Sequence, residues 1–280
     1  MVHGQGRAVS ALIVPVALLV GVTVGALGGG GSILTVPVLV YLFGQDARAA
    51  TTGSLIIVGT TTLVGMLPHL RQGRVRLAQG AVFGVLGVAG AFVGSKLAVR
   101  VPPEVLLAAF SVLMFVVAAL MTKRRRAVAR AEAAGARPAE PDRRPVLTLR
   151  PWHVDGRRLA LLLATATGVG MLTGFFGVGG GFAVVPALVL VLGMPMPVAV
   201  GTSLVVITIN SASSLVSRVG QDVTLDWAVI GWFTVLAVVG SLLGSLITTR
   251  VRPARLSLAF TVLLVGVAVY TAARSIPALL

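Results

Sequence analysis

Two runs without a charged side chain dominate the sequence: 38 residues from Ala8 to Gln45 and 59 residues from Leu159 to Ser217. One bilayer crossing needs roughly 20 apolar residues, so each run exceeds a single crossing. With 56% of the 280 positions hydrophobic and 11% charged, there is too little polar surface to coat a water-soluble core. A soluble enzyme is excluded. The sequence points instead to an all-α polytopic membrane protein, since a helix satisfies its backbone hydrogen bonds within one segment of lipid-embedded chain.

The chain repeats itself. At an offset of 149 residues Gly25, Gly28, Gly30, Gly31, Pro37, Gly44, Ser54 and Gln72 fall on Gly174, Gly177, Gly179, Gly180, Pro186, Gly193, Ser203 and Gln221. An offset of 150 then pairs Gly90, Gly94, Arg100, Pro103 and Phe110 with Gly240, Gly244, Arg250, Pro253 and Phe260. Two homologous transmembrane repeats are expected, over residues 8–121 and 158–273. The intervening residues 122–157 carry most of the basic cluster, with eleven of the chain's 23 Lys and Arg between Lys123 and Arg158. They read as a basic, partly disordered cytoplasmic linker. A net charge of +15 is therefore insertion topology, with basic loops kept inside, and not a nucleic-acid footprint.

Each repeat is expected to hold about four full helices. In the first they lie near residues 8–27, 49–70, 77–99 and 105–121, and in the second near 159–176, 198–217, 227–249 and 256–273. The pieces Gly28–Phe43 and Gly177–Leu192 are left over, and both open on glycine. Glycine costs about 1 kcal/mol in a helix interior relative to alanine, so Gly28 to Gly31 and Gly177 to Gly181 are expected outside helices. Five extended residues cover roughly 16 Å, and a helix over Ile33–Phe43 adds about 17 Å. Together they match one hydrocarbon core of about 30 Å, as a glycine-broken half-helix. Counting each piece as a crossing gives five per half and inverted repeats, whereas counting it as re-entrant gives four and parallel repeats. Inversion is preferred, because it keeps Arg250, Arg252 and Arg255 on the linker's side.

The segments Gly25-Ala-Leu-Gly-Gly-Gly-Gly-Ser-Ile-Leu-Thr-Val-Pro37 and Gly174-Phe-Phe-Gly-Val-Gly-Gly-Gly-Phe-Ala-Val-Val-Pro186, the latter followed by Ala199-Val-Gly-Thr-Ser-Leu204, resemble the signature of the TauE/SafE sulfite-exporter family. The likeness covers both halves and leaves out only the central linker. The first copy departs from the second at Gly29, Ser32 and Thr52-Gly53-Ser54. The resemblance implies a bacterial inner-membrane carrier, an exporter of sulfite, an organosulfonate or a related small anion. A passive anion channel, or a carrier of a small carboxylate, remains as the alternative.

In this reading proline in the first turn opens two half-helices, near Thr35-Val36-Pro37 and Val184-Val185-Pro186, where its missing N–H is no loss. Their free N–H groups and positive dipole ends would bind an anion near the midplane without a buried cation. The candidate substrate-binding residues are Gly28, Gly30, Gly31, Ser32, Ser54, Gly177, Gly179, Gly180, Gly181, Thr202, Ser203 and Asn210. Glycine lets backbone approach the ligand, and the hydroxyls donate to it. The seams Gly90-xxx-Gly94 and Gly240-xxx-Gly244 read as helix packing, and Lys96 as a side chain reaching for the interface. With no cysteine and three scattered histidines, His3, His69 and His153, no metal site, cofactor or catalytic group is expected. No carboxylate falls inside a crossing to relay protons, and His69 is only a weak proton-carrier candidate. The expected partners are a small anion and the lipid bilayer, with no nucleic acid; a homo-oligomer is left open.

Overall fold

A computed structural model describes residues 3–98, 100–133, 147–149, 152–154, 156–176, 181–218 and 223–279. Among them are ten helices: α1 (His3–Leu27), α2 (Gly30–Pro37), α3 (Ala47–Arg71), α4 (Leu77–Ala98), α5 (Pro103–Ala133), α6 (Gly156–Phe176), α7 (Gly181–Leu190), α8 (Met196–Val216), α9 (Trp227–Arg250) and α10 (Pro253–Leu279). The chain is an all-α polytopic membrane protein. Six helices are long and apolar enough to cross a bilayer, over Arg48–Arg71, Leu77–Ala98, Leu159–Phe176, Met196–Val216, Trp227–Thr248 and Pro253–Ala273. Shorter apolar stretches are Ile13–Leu27, Ile33–Leu42 and Gly181–Leu190. Large apolar side chains on the outer helices, among them Phe92, Val112, Trp232 and Val262, stand more than 60% exposed, as a lipid-facing surface requires.

Local chemistry sets the helix ends. Asp46 caps α3, its carboxylate accepting from the Arg48 N–H at 2.9 Å. Asp226 caps α9 by accepting from the Ala228 and Val229 N–H groups at 3.1 Å. After α2 the chain widens into a π-helical turn over Val38–Leu42. Pro37 supplies no N–H and its ring crowds the carbonyl four residues back, so the ladder resets, with the Phe43 N–H reaching the Val38 carbonyl at 3.3 Å. Gly44 and Gly193, matched in the sequence, both take a φ near +65° and turn the chain out of the short helices into α3 and α8.

The linker carries more regular structure than its composition suggests. Helix α5 runs past Met121 to Ala133, because its Ala, Arg, Lys and Glu are strong helix formers. A short antiparallel hairpin pairs Leu147–Leu149 (β1) with Trp152–Val154 (β2).

Side-chain register fixes helix directions. On α1 and α9, Gly21 lies against Ala237 and Gly25 against Ser241, so these helices run parallel. On α4 and α6, Gly90 lies against Thr167 and Gly94 against Met171, which also makes them parallel. In both pairs a Cβ on the glycine would run into the partner's backbone. The Gly-xxx-Gly elements at Gly90 and Gly240 thus bring helices into backbone contact, as read from the sequence. Helix α3 runs parallel to α9, with Gly53 on Ile230 and Gly65 on Ser241, and antiparallel to α8. There the Arg218 guanidinium reaches Thr51 and Thr52, Gly59 packs on Ser211, and the hydroxyls of Thr62 and Thr208 meet at 2.9 Å.

It follows that α1, α3 and α9 point one way. Helix α8 runs with α4, Gly80 packing on Val205 and Gly84 on Ile209, so α4, α6 and α8 point the other way. Since α1 and α3 are parallel, the chain must return through the depth of the bundle between them, and α2 with its π turn makes that return. Helix α7 does the same between α6 and α8. The element pairings, α1 with α9 and α6 with α4, α3 with α8, α5 with α10 and α2 with α7, are unchanged when every element is exchanged for its sequence counterpart.

Candidate functional site

Helix α1 ends at Leu27, and Gly28 turns the chain with a φ of +74°, its N–H closing on the Val24 carbonyl at 2.9 Å. A non-glycine residue is strained at this φ. A side chain would also strike Ser203 Oγ, with Val185 Cγ2 at 3.0 Å and the Val200 carbonyl at 3.4 Å behind it. The next residue, Gly29, lies backbone to backbone on Gly181, the first residue of α7. The start of α7 is thereby brought beside the last residue before α2. Their connections give α2 and α7 opposite directions, so the two helix starts approach each other from opposite sides. The residues in contact there, Gly28, Gly29, Gly181, Val185, Val200 and Ser203, carry no charge.

The break is shorter than the sequence suggests. Of the first copy's glycine run only Gly28 and Gly29 lie outside a helix, and α2 opens at Gly30. Packing explains it: a Cβ on Gly31 would overlap Val24 and approach the Val20 carbonyl at 2.7 Å, so a bare first turn lies flat on α1. Pro37 is consequently the eighth residue of its helix and Pro186 the sixth of α7, and neither is the first-turn proline expected. Gly177, Gly179 and Gly180 lie outside the described residues. Gly30 and Ser32 belong to the first turn of α2.

The hydroxyls divide into two places. Ser203 donates to the Val200 carbonyl at 2.7 Å while touching Gly28. One residue before it, Thr202 is fully buried and accepts from the Arg76 N–H at 3.1 Å, which pins the α3–α4 loop to the start of α8. Ser54 is elsewhere and donates to the Thr51 carbonyl at 2.8 Å. It lies eight residues before Thr62, and Ser203 five before Thr208, on antiparallel helices. The two serines are therefore separated by about 20 Å along the pair. Asn210 is also apart: its Oδ1, buried without a partner, sits 3.8 Å from the Cβ position of Gly87 on α4.

Two features were not singled out as binding groups. His69 is completely buried, and its Nε2 lies 3.0 Å from the Gly25 carbonyl, joining the last turn of α3 to the last turn of α1 just before the break. Its Nδ1 is buried without a partner. A lone histidine in an apolar helix was the visible signal. The Thr62–Thr208 pair gave none, because the register of two helices 146 residues apart is not local information.

Comparison with known proteins agrees with this architecture. The family described as Sulfite exporter TauE/SafE matches residues 13–271. A protein of Xylella fastidiosa (strain 9a5c) named "Probable membrane transporter protein" is 31% identical over 261 residues, covering 92% of both chains. A protein of the same name from Xylella fastidiosa (strain Temecula1 / ATCC 700964) matches equally, at 31% over 92% of both chains. "Probable membrane transporter protein YdhB" of Bacillus subtilis (strain 168) is 26% identical over 70% of this chain and 73% of its own. No solved structure matches the chain. With nearly its whole length matched, its helices apolar and two short ones opening on glycine, the chain is a multi-pass membrane transporter of the TauE/SafE sulfite-exporter family.

Proposed function

We propose that the protein is a secondary transporter that exports a small anion, sulfite or an organosulfonate, across a bacterial inner membrane, and that it is not an enzyme. Two inverted repeats of five crossings each form the carrier. The antiparallel run of α3 against α8 supports inversion, since parallel repeats would place these counterparts parallel. The observation that carries the reading is the meeting of Gly29 with Gly181, which supports two opposed helix starts, each with the positive end of its dipole, around one uncharged region. An anion held there gains from both dipole ends without a compensating cation to desolvate. Ser203 is placed to turn its hydroxyl from the Val200 carbonyl to such a ligand. Ser54 and Asn210 lie outside this first contact and serve other depths of the pathway.

Orientation in the bilayer follows from charge. Arg74 donates to the Thr248 carbonyl at 3.3 Å, which puts the α3–α4 loop at the same end as Arg250, Arg252 and Arg255. The basic tail of α5 lies at that end as well, because Ser111 meets Thr271 on the antiparallel α10. That end is cytoplasmic. The test is uptake into proteoliposomes: sulfite or a sulfonate should show saturable transport with accelerated counterflow. Linear conductance in a planar bilayer would replace the carrier with a channel, and transport confined to carboxylates would replace the substrate.

A further inference from the structure

Helix α5 does not stop at the bilayer. Beyond Met121 it continues for three turns as Thr-Lys-Arg-Arg-Arg-Ala-Val-Ala-Arg-Ala-Glu-Ala to Ala133. Along one of its faces runs a cleft of about 620 Å³, lined by Phe115, Ala118, Ala119, Thr122, Lys123, Arg126, Ala127 and Arg130, with Val265 of α10 on the other side. The lining changes character along its length. Its membrane end is phenylalanine, alanine and valine, continuous with the exposed apolar residues Val112, Val116, Leu120, Val262 and Val269. Its outer end is three cations on successive turns, and among the described residues no carboxylate lines the cleft. On the same stretch Arg124 holds one guanidinium nitrogen buried without a hydrogen-bond partner.

A helix needing only to end at the interface would not require this order. Small alanines leave room where an acyl chain could lie, and Lys123, Arg126 and Arg130 stand where a phosphate at headgroup level would sit. We infer that this cleft between α5 and α10 is a binding site for an anionic phospholipid, its headgroup phosphate on Lys123, Arg126 and Arg130 and its acyl chain over Ala118, Ala119 and Val265. The ligand is a lipid and not a free anion because the apolar half of the cleft opens onto the lipid-facing surface. The site does not depend on what the protein transports. Helix α5 also touches the short helix α7, Phe110 standing edge-on to Phe182 at 5.1 Å, so a lipid seated there bears on an element next to the glycine break.

The test is binding of phosphatidylglycerol to the detergent-purified full chain, with phosphatidylcholine and inorganic phosphate as separate arms, read by native mass spectrometry and by thermal midpoint. Phosphatidylglycerol should bind and raise the midpoint, whereas neither phosphatidylcholine nor phosphate should. The triple variant Lys123→Gln, Arg126→Gln, Arg130→Gln should lose affinity by about 100-fold, at about fivefold for each basic side chain. Arg250→Gln, Arg252→Gln, Arg255→Gln, equal in charge and at the same end, should keep it. Ala119→Trp fills the apolar half without altering charge and should weaken the lipid as well, which guards against misfolding of the triple variant. Equal loss in both triple variants would reduce the effect to a basic surface and overturn the site. An equal response to phosphate alone, or full binding by Ala119→Trp, would also overturn it.

Discussion

Gly28 combines two demands that separate cleanly by substitution. Its φ of +74° costs a non-glycine residue about 1–2 kcal/mol, and its missing Cβ makes room for Ser203 Oγ. Gly44 has a similar φ of +64° but nothing within 4 Å of a Cβ. Gly44→Ala should therefore lower the thermal midpoint only by the backbone cost, about 2–4 °C per kcal/mol for a chain of this size, and Gly28→Ala by distinctly more. Equal shifts would show that the Ser203 contact contributes nothing. A double-mutant cycle of Thr62→Val and Thr208→Val should return a coupling of about 0.6 kcal/mol, the usual size for a hydroxyl bridge between membrane helices, measured by unfolding in detergent. At this scale the sequence was readable where chemistry is local. It marked Gly28 and Ser203, which touch, and Gly181, which lies on Gly29, but could not separate Ser54 from them, because Ser54 and Ser203 match in the sequence while the helices that carry them run antiparallel.

At the scale of elements, hydropathy and glycine punctuation located most ends of the long helices to within a few residues, but α5 runs on to Ala133 and α10 to Leu279, well past the expected ends at residues 121 and 273. The π turn and the early start of α2 escaped, since both are decided by what α2 lies against. Summed propensity is weak against a tertiary seat of this kind. Lys96 illustrates the opposite case. Read as reaching for the interface, it sits over the Phe92 ring, 4.5 Å from its centroid, one turn back on the same helix, an arrangement set by local spacing. The two parallel seams yield a test. Gly94→Leu and Gly244→Leu drive a side chain into the backbone near Met171 and Val22 and should destabilise by at least the 1–3 kcal/mol typical of overpacking, with loss of a monodisperse peak on size exclusion. Gly231→Ala and Gly266→Ala, with nothing within 4 Å, should leave it intact.

For the molecule as a whole, the absence of cysteine makes sidedness directly measurable. Gln72→Cys and Arg252→Cys should react with an impermeant maleimide from one side of the membrane, and Thr224→Cys, in the α8–α9 loop, from the other. Labelling of residues 72 and 224 from the same side would return the halves to four crossings each. The parallel seams also interlock the halves: α1 of the first lies on α9 of the second, and α6 of the second on α4 of the first. Rigid rocking of one half against the other would have to break both backbone contacts, so moving bodies must be drawn from each. The interlock bears on biogenesis too. During synthesis at roughly 5–20 residues per second, about 10–40 s separate the emergence of Gly21 from that of Ala237. For that interval the glycine face of the earliest helix waits in lipid, exposed to whatever neighbour the insertion machinery offers, until the penultimate helix arrives to cover it.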